Sequence, residues 1–425
     1  MPSSARSLSM LALAAALSGC SADPAPITPP PDPPGDVARS ALVRESAPSV
    51  SAEEAASLRA GATDFALDLH RRVAGPGNSV ISPHSIQVAF GMLRPGALGE
   101  TAAQIDAVMG WAHPGEPTYR AMNALDLALA SRPREGVRLA IANQSFGQIG
   151  FPFEAAYLDA IATHFGAGIS LLDFVGDTEG SRVVINGWVD ERTDGNIPEL
   201  IPSGVIDGTT RLVLVNAVHF DAAWETEFDP DDTRDGAFHR ATGGDVTVPL
   251  MHLALDAPHA TGEGWAAAEL AYAGEELAML VVVPTTGTLD ALEGSLDATG
   301  LDAIVASLAT ETIDVTMPRF AFGSDVDLVE PLREAGMPNV FDGGLAELDG
   351  ISAGRDLYVS AALHSATIDV SEAGTEASAA TAVIVGERAA PPRPRVSLDR
   401  PFLFFIRDRA TGALLFVGRV ADPSA

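Results

Sequence analysis

The sequence predicts an α+β fold, because helical patterns dominate the first half of the chain and strand patterns the second half. The chain has 425 residues, and 47% of them are hydrophobic, which can supply a sizeable core. No linker rich in glycine, proline or serine interrupts the chain after residue 60. We therefore expect one large mixed domain over residues 53–425.

Apolar residues at helical spacing predict four helices in the first half. Ser82 stands before a proline and Thr101 before an apolar periodic segment, so both are predicted as N-caps. The predicted helices cover residues 55–73, a segment that starts at Pro83, residues 102–109 and residues 181–192.

Short runs of apolar and β-branched residues predict strands. Residues 212–220 form the longest run and give the strongest core signal. Near the C-terminus, two apolar runs flank Thr411 and Gly412, which predicts a hairpin. The other predicted strands cover residues 79–82, 139–146, 277–284, 313–318 and 356–359.

The first 20 residues have the pattern of a bacterial lipoprotein signal peptide. Arg6 precedes an apolar stretch over residues 8–17, which is too short to cross a membrane, since crossing takes about 20 residues. Leu-Ser-Gly-Cys follows and resembles a lipobox, in which Cys20, the only cysteine, would become the lipidated N-terminus. An ordinary signal peptide is the alternative.

A segment rich in proline, then in serine, alanine and glutamate, covers residues 21–52. Proline density favours extended polyproline II without packing. We expect a disordered tether that holds an exported domain at a membrane of the cell envelope, either on the periplasmic side of the outer membrane or at the cell surface. Release of the domain from the cell is the alternative.

Charge and motif content exclude several classes of function. The net charge of −31 and the pI near 4.4 argue against nucleic-acid binding, which needs a basic surface. The nine histidines show no zinc-protease spacing, and the aspartates at 229, 231, 232 and 235 lack the glycine and glutamate of a calcium loop. No nucleotide-binding fingerprint is present, so we expect neither a metal nor a cofactor.

Residues 372–385 combine one early glycine with small and β-branched residues and contain no proline. Such a run can become a strand with little side-chain obstruction. In that strand Glu376 and Ser378 would share one face. The opposite face would carry only small or β-branched residues, namely Thr375, Ala377, Ala379, Thr381, Val383 and Val385. The pattern is typical of a segment that is exposed in one state and inserted between strands in another.

This run resembles the hinge and reactive loop of a serpin, a family whose loop insertion is a well-known case of strand addition. Further segments that resemble the family follow in its order over residues 55–423. They are residues 78–86, 185–189 with 193–197, 213–220 with Trp224, 318–320, 350–352, His364, 401–404 and 416–420.

The resemblance implies a serpin fold of about nine helices around three β-sheets, with an exposed C-terminal reactive loop. It implies a monomeric inhibitor of serine-type endopeptidases, not an enzyme. The target protease would cleave the loop and form a covalent acyl complex, and the freed segment would insert into the main sheet. A non-inhibitory serpin that acts as a binding or carrier protein is the alternative.

The resemblance also implies the residues of the loop. The family's spacing from Gly374 places the cleaved bond between Arg388 and Ala389, which favours a trypsin-like target. Cleavage at Val385 or Ile384, by an elastase-like or subtilisin-like enzyme, is the alternative. The implied hinge consists of Glu372, Gly374, Thr375, Glu376, Ala377, Ser378, Ala379 and Ala380.

Four polar residues match a hydrogen-bonded cluster, the shutter, beneath the point where a serpin sheet opens: Ser82, Ser85, Asn216 and His364. The chain also departs from the family. Asp221 and Ala222 follow Phe220 where the family often has lysine and glycine, and Asn196 and Ser365 stand where it usually has lysine.

A remote alternative is a lipid-anchored serine hydrolase. Residues 350–354 fit the G-x-S-x-G pattern around Ser352, which needs a strand before it and a helix after it. Only His364 lies downstream as a base, with little chain between them for a triad of the usual order. A turn is the simpler interpretation.

Overall fold

The computed structural model describes residues 35–354, 357–375 and 393–425. Within these ranges, the helices and strands confirm the α+β class. The described α-helices are α1 (Ala52–Val73), α2 (Pro83–Leu93), α3 (Gly99–Val108), α4 (Glu116–Ala130), α5 (Ala155–Phe165), α6 (Thr178–Arg192), α7 (Leu289–Ser295), α8 (Ala298–Ser307) and α9 (Val329–Ala335).

The strands are more numerous than the apolar runs of the sequence indicate. They are β1 (Val37–Ala38), β2 (Ser79–Ile81), β3 (Val137–Gln148), β4 (Ile169–Leu172), β5 (Leu212–Ala223), β6 (Arg234–His239), β7 (Asp245–Gly262), β8 (Trp265–Ala271), β9 (Leu277–Pro284), β10 (Ala309–Pro318), β11 (Phe320–Asp327), β12 (Ala362–Val370), β13 (Gly374–Thr375), β14 (Arg395–Ser397), β15 (Phe402–Asp408) and β16 (Leu414–Val420).

Seven strands form one sheet, here called sheet A, in the order β1-β4-β3-β5-β13-β12-β11. β5 and β12 also pair directly, in parallel, over five residue pairs from Ala362–Leu214 to Ala366–Val218. Sheet A therefore has two regions at its centre. In one region β5 and β12 are neighbours, and in the other β13 lies between them.

Nine strands form a second sheet, here called sheet B, in the order β14-β10-β7-β8-β9-β15-β16-β2, with β6 paired to β7. The resemblance implies three sheets. Two of them are joined here because β7 is 18 residues long: it pairs with β6 and β10 along most of its length and with β8 at its end.

The core lies between the two sheets and around α2. All eleven residues of α2 are buried, and this helix packs against β3 and β5 of sheet A and β16 of sheet B. Aromatic rings join the sheets directly: the Phe220 and Phe416 ring centroids lie 6.1 Å apart, and those of Phe320 and Phe404 lie 5.8 Å apart. The burial of these rings contributes to the stability of the domain.

The structure corrects one predicted cap, Thr101, and confirms the position of the other, Ser82. α3 begins at Gly99, before Thr101, and its first-turn N–H of Glu100 donates to the remote Glu347 carboxylate at 2.7 Å. Ser82 occupies the N-cap position of α2, but its side chain makes no cap hydrogen bond. At α3 a tertiary contact therefore replaces the local cap that the sequence suggests.

The predicted tether, residues 21–52, is wrong in its C-terminal part. β1 pairs antiparallel with the edge strand β4, with Val37 opposite Ser170 and Ala38 opposite Ile169. The open edge of a sheet has free backbone donors and acceptors, which can pair with a strand of almost any side chains. The composition of the segment therefore did not predict this pairing. Residues 21–34 lie outside the described residues.

Arg44 anchors the segment that follows β1. Its guanidinium donates to Asn123 Oδ1 at 2.8 Å and forms an ion pair with Asp126 at 2.5 Å, both on α4. The N–H of Glu45 donates to the Thr163 carbonyl at 2.9 Å. Residues 35–51, here called the N-terminal strap, therefore belong to the folded domain.

No helix within the described ranges has both the length and the apolar character needed to cross a membrane.

We expect Arg44→Ala to lower the free energy of unfolding by about 1–2 kcal/mol, because it removes charge-assisted hydrogen bonds in a half-buried site. Arg72→Ala is the matched control, since Arg72 pairs with Asp68 one turn away on the surface of α1. It should cost less than about 0.5 kcal/mol. Urea unfolding measures both, and equal losses would contradict an anchoring role for Arg44.

Candidate functional site

The chain turns back into sheet A directly after β12. Gly374 pairs with Ala223 and Thr375 with Ala222 on β5, and Thr375 also pairs with Val370 on β12. The predicted hinge therefore begins inside the sheet, with one strand on each side.

Gly374 is required by this entry into the sheet. Its φ is +153°, a conformation that residues with a side chain rarely adopt. A Cβ atom at this position would lie 2.1 Å from the carbonyl oxygen of Ala222. Any other residue would push β13 away from β5.

Thr375 is the first side chain of the hinge to enter the core, and only 1% of it is exposed. Its hydroxyl lies 2.8 Å from the hydroxyl of Tyr272, which is fully buried. Burial raises the pKa of Tyr272, so the phenol stays protonated and can share a hydrogen bond with threonine.

Glu372 holds the turn before β13. Its carboxylate accepts hydrogen bonds from Arg319 Nε at 2.7 Å and from the Thr233 hydroxyl at 2.5 Å. Burial alone would raise the pKa of Glu372, but these hydrogen bonds outweigh burial and hold the pKa below its ordinary value. The Phe228 N–H donates to the Glu372 carbonyl at 2.9 Å, so both backbone and side chain are fixed.

The structure brings the four predicted shutter residues together at the centre of sheet A. His364 on β12 lies directly opposite Asn216 on β5, and its Nδ1 is 2.7 Å from Asn216 Oδ1. The Asn216 amide donates to the Ser85 hydroxyl. Ser82 contacts the cluster through its backbone: its N–H, and not its hydroxyl, donates to His364 Nε2 at 3.0 Å.

Sequence reasoning missed a fifth member, Asn143. It lies opposite Asn216 on β3, and its Oδ1 accepts from the Asn216 amide at 2.6 Å and from the Ser85 hydroxyl at 3.1 Å. The signal was available, because Asn143 interrupts a predicted apolar strand. A polar side chain there needs a partner.

Both ring nitrogens of His364 are engaged in the neutral form. Nδ1–H donates to Asn216, and Nε2 accepts from the Ser82 N–H. A second ring proton would face that N–H donor, and burial lowers the pKa of His364 to about 3. The cluster therefore holds β5 and β12 together only while His364 is neutral.

The serine hydrolase alternative gains no support from the geometry. Ser352 lies in a turn, and the chain on either side of it, residues 342–354 and 357–361, is neither strand nor helix. The predicted strand over residues 356–359 is thus wrong for residues 357–359. The Ser352 hydroxyl has no hydrogen-bond partner among the described residues, and His364 has no free ring nitrogen to act as its base.

Several predicted residues lie outside the described ranges. They are Cys20, the hinge residues Glu376, Ala377, Ser378, Ala379 and Ala380, and the loop residues Ile384, Val385, Arg388 and Ala389. Within those ranges, no three His, Cys, Asp or Glu side chains are grouped so that they could hold a metal ion.

Comparison with known proteins gives consistent matches over most of the chain. A family model described as serpin (serine protease inhibitor) matches residues 60–423. A serpin-like protein of Thermococcus kodakarensis is 35% identical over 363 residues, 84% of this chain and 84% of its own. The leukocyte elastase inhibitor of Equus caballus is 34% identical and covers 85% of this chain and 98% of its own.

A solved structure confirms the expected fold. The thermophilic serpin tengpin in its native state superimposes with a TM-score of 0.80 at 24% identity, and the match covers 91% of this chain and 97% of tengpin. At this identity the likeness establishes architecture and carries no activity with it.

We expect acid to weaken the fold through His364. Its pKa is about 3 in the folded protein against an ordinary 6.5, so between these values the unfolded chain binds a proton that the folded chain does not. The contribution of His364 to the free energy of unfolding is complete above pH 6.5 and is lost as the pH falls towards 3. The slope is at most about 1.4 kcal/mol per pH unit.

Urea unfolding at several pH values between 7 and 4 measures this dependence. His364→Gln should flatten the slope, whereas His239→Gln, at a half-exposed histidine, should leave it unchanged. If His364→Gln retains the slope of the original protein, another group causes the acid sensitivity.

Proposed function

This chain belongs to the serpin family, and on that premise we propose that it inhibits serine proteases as a suicide substrate. The protease cleaves an exposed loop, remains attached to it as an acyl-enzyme, and is displaced when the loop enters sheet A. The observation that carries the proposal is the position of β13, because Gly374 and Thr375 already pair with β5 on one side and Thr375 with β12 on the other.

Sheet A can admit a further strand at a defined place. Below β13, β5 and β12 pair over only five residue pairs. A strand that entered there would replace one ladder of hydrogen bonds with two. About a dozen new backbone hydrogen bonds at about 1 kcal/mol net each, with the burial of side chains, would drive the insertion.

The residues that follow Thr375 suit such a strand. Every second side chain, from Ala377 to Val385, is small or β-branched, so the inward face fits between packed layers. About 14 residues at about 3.3 Å each span on the order of 45 Å, enough to carry the attached protease along the length of the sheet.

The covalent step uses the chemistry of the protease. Its serine hydroxyl attacks the carbonyl carbon of the cleaved residue, an ester forms, and the amine of the next residue leaves with a proton. Water would normally hydrolyse the ester. Displacement of catalytic groups by about 1 Å is enough to slow chemistry severely, so the distorted protease remains trapped.

Arg388 and Ala389 are the proposed cleaved bond, which favours a trypsin-like target. Val385 or Ile384 would suit an elastase-like or subtilisin-like protease instead, and one relative is named as an inhibitor of leukocyte elastase. Arg393, a second arginine in the loop region, forms an ion pair with Asp314 at 3.5 Å and precedes a proline, which disfavours it as the cleaved residue.

The decisive experiment incubates the protein with a trypsin-like and an elastase-like protease. We expect a covalent complex that survives denaturant, and a released peptide that begins at Ala389. Cleavage without trapping should be absent or minor. If neither protease is trapped, the non-inhibitory carrier alternative replaces this proposal.

Thr375→Arg tests insertion itself in the same assay. A guanidinium at this buried position costs several kcal/mol, so the variant should be cleaved as a substrate without forming the complex. Thr247→Arg, at an exposed threonine of β7, is the matched control and should trap protease normally. Undiminished trapping by Thr375→Arg, with a normal urea midpoint, would rule out loop insertion.

We also propose that Cys20 is lipidated and that the protein is an exported lipoprotein of the cell envelope. The support is the Leu-Ser-Gly-Cys sequence after a short apolar stretch, with a proline-rich segment behind it. Cys20→Ser should move the protein expressed in a bacterial host from the detergent phase to the aqueous phase of a Triton X-114 extract. Equal partition of both forms would point to an ordinary signal peptide.

A further inference from the structure

Thr375 makes a buried side-chain hydrogen bond to a residue outside the hinge. The Thr375 hydroxyl reaches the Tyr272 hydroxyl at 2.8 Å, and neither side chain is more than 1% exposed. Tyr272 stands just after β8 and forms an isolated bridge with Trp224, which stands just after β5. The contact therefore joins the hinge to the place where the segments that follow β5 and β8 lie side by side.

Tyr272 is held rigidly in place. Its ring stacks on Trp224 with centroids 4.6 Å apart and an interplanar angle of 8°, and it meets the Phe220 ring edge-on at 4.9 Å. Its backbone N–H donates to the Leu277 carbonyl at 2.9 Å. The hydroxyl is thus a fixed point to which the incoming strand must conform.

Trp224 connects the same aromatic group to the turn before the hinge. Its indole N–H donates to the Ser371 carbonyl at 3.0 Å, and its backbone N–H donates to the Ala373 carbonyl at 2.9 Å. These bonds, with the pairing of Gly374 and Thr375 to β5, place the backbone of the hinge. The Thr375–Tyr272 contact adds a side-chain hydrogen bond that depends on which hinge residue faces the core.

Register is the property that needs such a contact. A slip of one residue would turn the small face of the inserting strand outward and present Glu376 to the core. A slip of two residues would place Ala377 opposite Tyr272 and leave a buried hydroxyl without a partner. Ser378 and Thr381 also carry hydroxyls, but a slip of three or six residues would be needed to bring either of them to Tyr272. In the observed register Thr375 satisfies the phenol and leaves no charge buried.

We propose that Tyr272 is the positioning residue of the reactive loop: its hydroxyl holds Thr375 between β5 and β12 and sets the register in which the rest of the loop enters sheet A. The part of this proposal that concerns the entry of the loop into sheet A rests on the proposed function. The part that concerns the seating of Thr375 rests on the geometry alone.

The seating is tested by hydrogen–deuterium exchange of the peptide that covers residues 371–375. Tyr272→Phe leaves the Thr375 hydroxyl without its partner, and Thr375→Val leaves the Tyr272 hydroxyl without its partner. Each variant should therefore speed exchange of this peptide about fivefold or more. The double variant places two apolar groups in contact and should exchange more slowly than either single variant. Thr375→Ser keeps a hydroxyl and should resemble the original protein.

Tyr157→Phe is the matched control. Tyr157 is a buried tyrosine of α5 whose hydroxyl has no hydrogen-bond partner within the described residues, so the same chemical change removes no bond there. It should leave the exchange of residues 371–375 unaltered. Urea midpoints of all variants separate local release of the hinge from general loss of stability.

The register is tested by the number of inhibitor molecules consumed for each protease molecule trapped. Tyr272→Phe and Thr375→Val should both raise this number several-fold, while Thr375→Ser and Tyr157→Phe should not. Unchanged exchange in Tyr272→Phe would overturn the seating, and an unchanged number in both variants would overturn the role in register. If the original protein traps no protease but Tyr272→Phe still exchanges faster, the inhibitory function fails and the seating stands.

Discussion

The parallel pairing of β5 with β12 is the interaction on which the architecture of sheet A depends. These two strands meet directly over five residue pairs and are separated above that region by Gly374 and Thr375. The proposed strand addition rests on this arrangement, in which the central strands meet in one region, the closed half, and are parted in the next, the parted half. Whatever strengthens or weakens the closed half changes how readily the rest can part.

Buried polar groups lie both where β5 and β12 meet and where β13 separates them. His364, Asn216, Ser85 and Asn143 join three neighbouring strands in the closed half, and Glu372 with Arg319 fixes the turn above the parted half. A buried polar group that loses its hydrogen-bond partner costs free energy. Each cluster therefore favours the observed arrangement of its strands over arrangements in which its hydrogen bonds are broken. Apolar packing alone would have allowed the strands to slide or separate gradually.

The sequence predicted well those elements whose side chains are buried on both faces. The apolar run at 277–284 matches β9 at both ends, and the run at 212–220 lies within β5. It could not predict β1 or β13, because each is two residues long and owes its place to backbone groups of neighbouring strands. The same limit applies to part of the site. His364 and Asn216 were found by resemblance, and Asn143 could have been suspected because it interrupts an apolar run, whereas Tyr272 is defined only by its contact with the distant Thr375.

The N-terminal strap has a consequence for behaviour in a crowded solution. A sheet edge with unpaired backbone groups can pair with a strand of a neighbouring molecule. β1 covers part of the edge of β4, and Arg44 ties the following chain to α4, so the backbone groups of Ile169 and Ser170 are paired within the molecule. Two residues, Val37 and Ala38, are enough to move the open edge of the sheet from β4 to a shorter strand, which is one of the ways in which proteins limit pairing between edges.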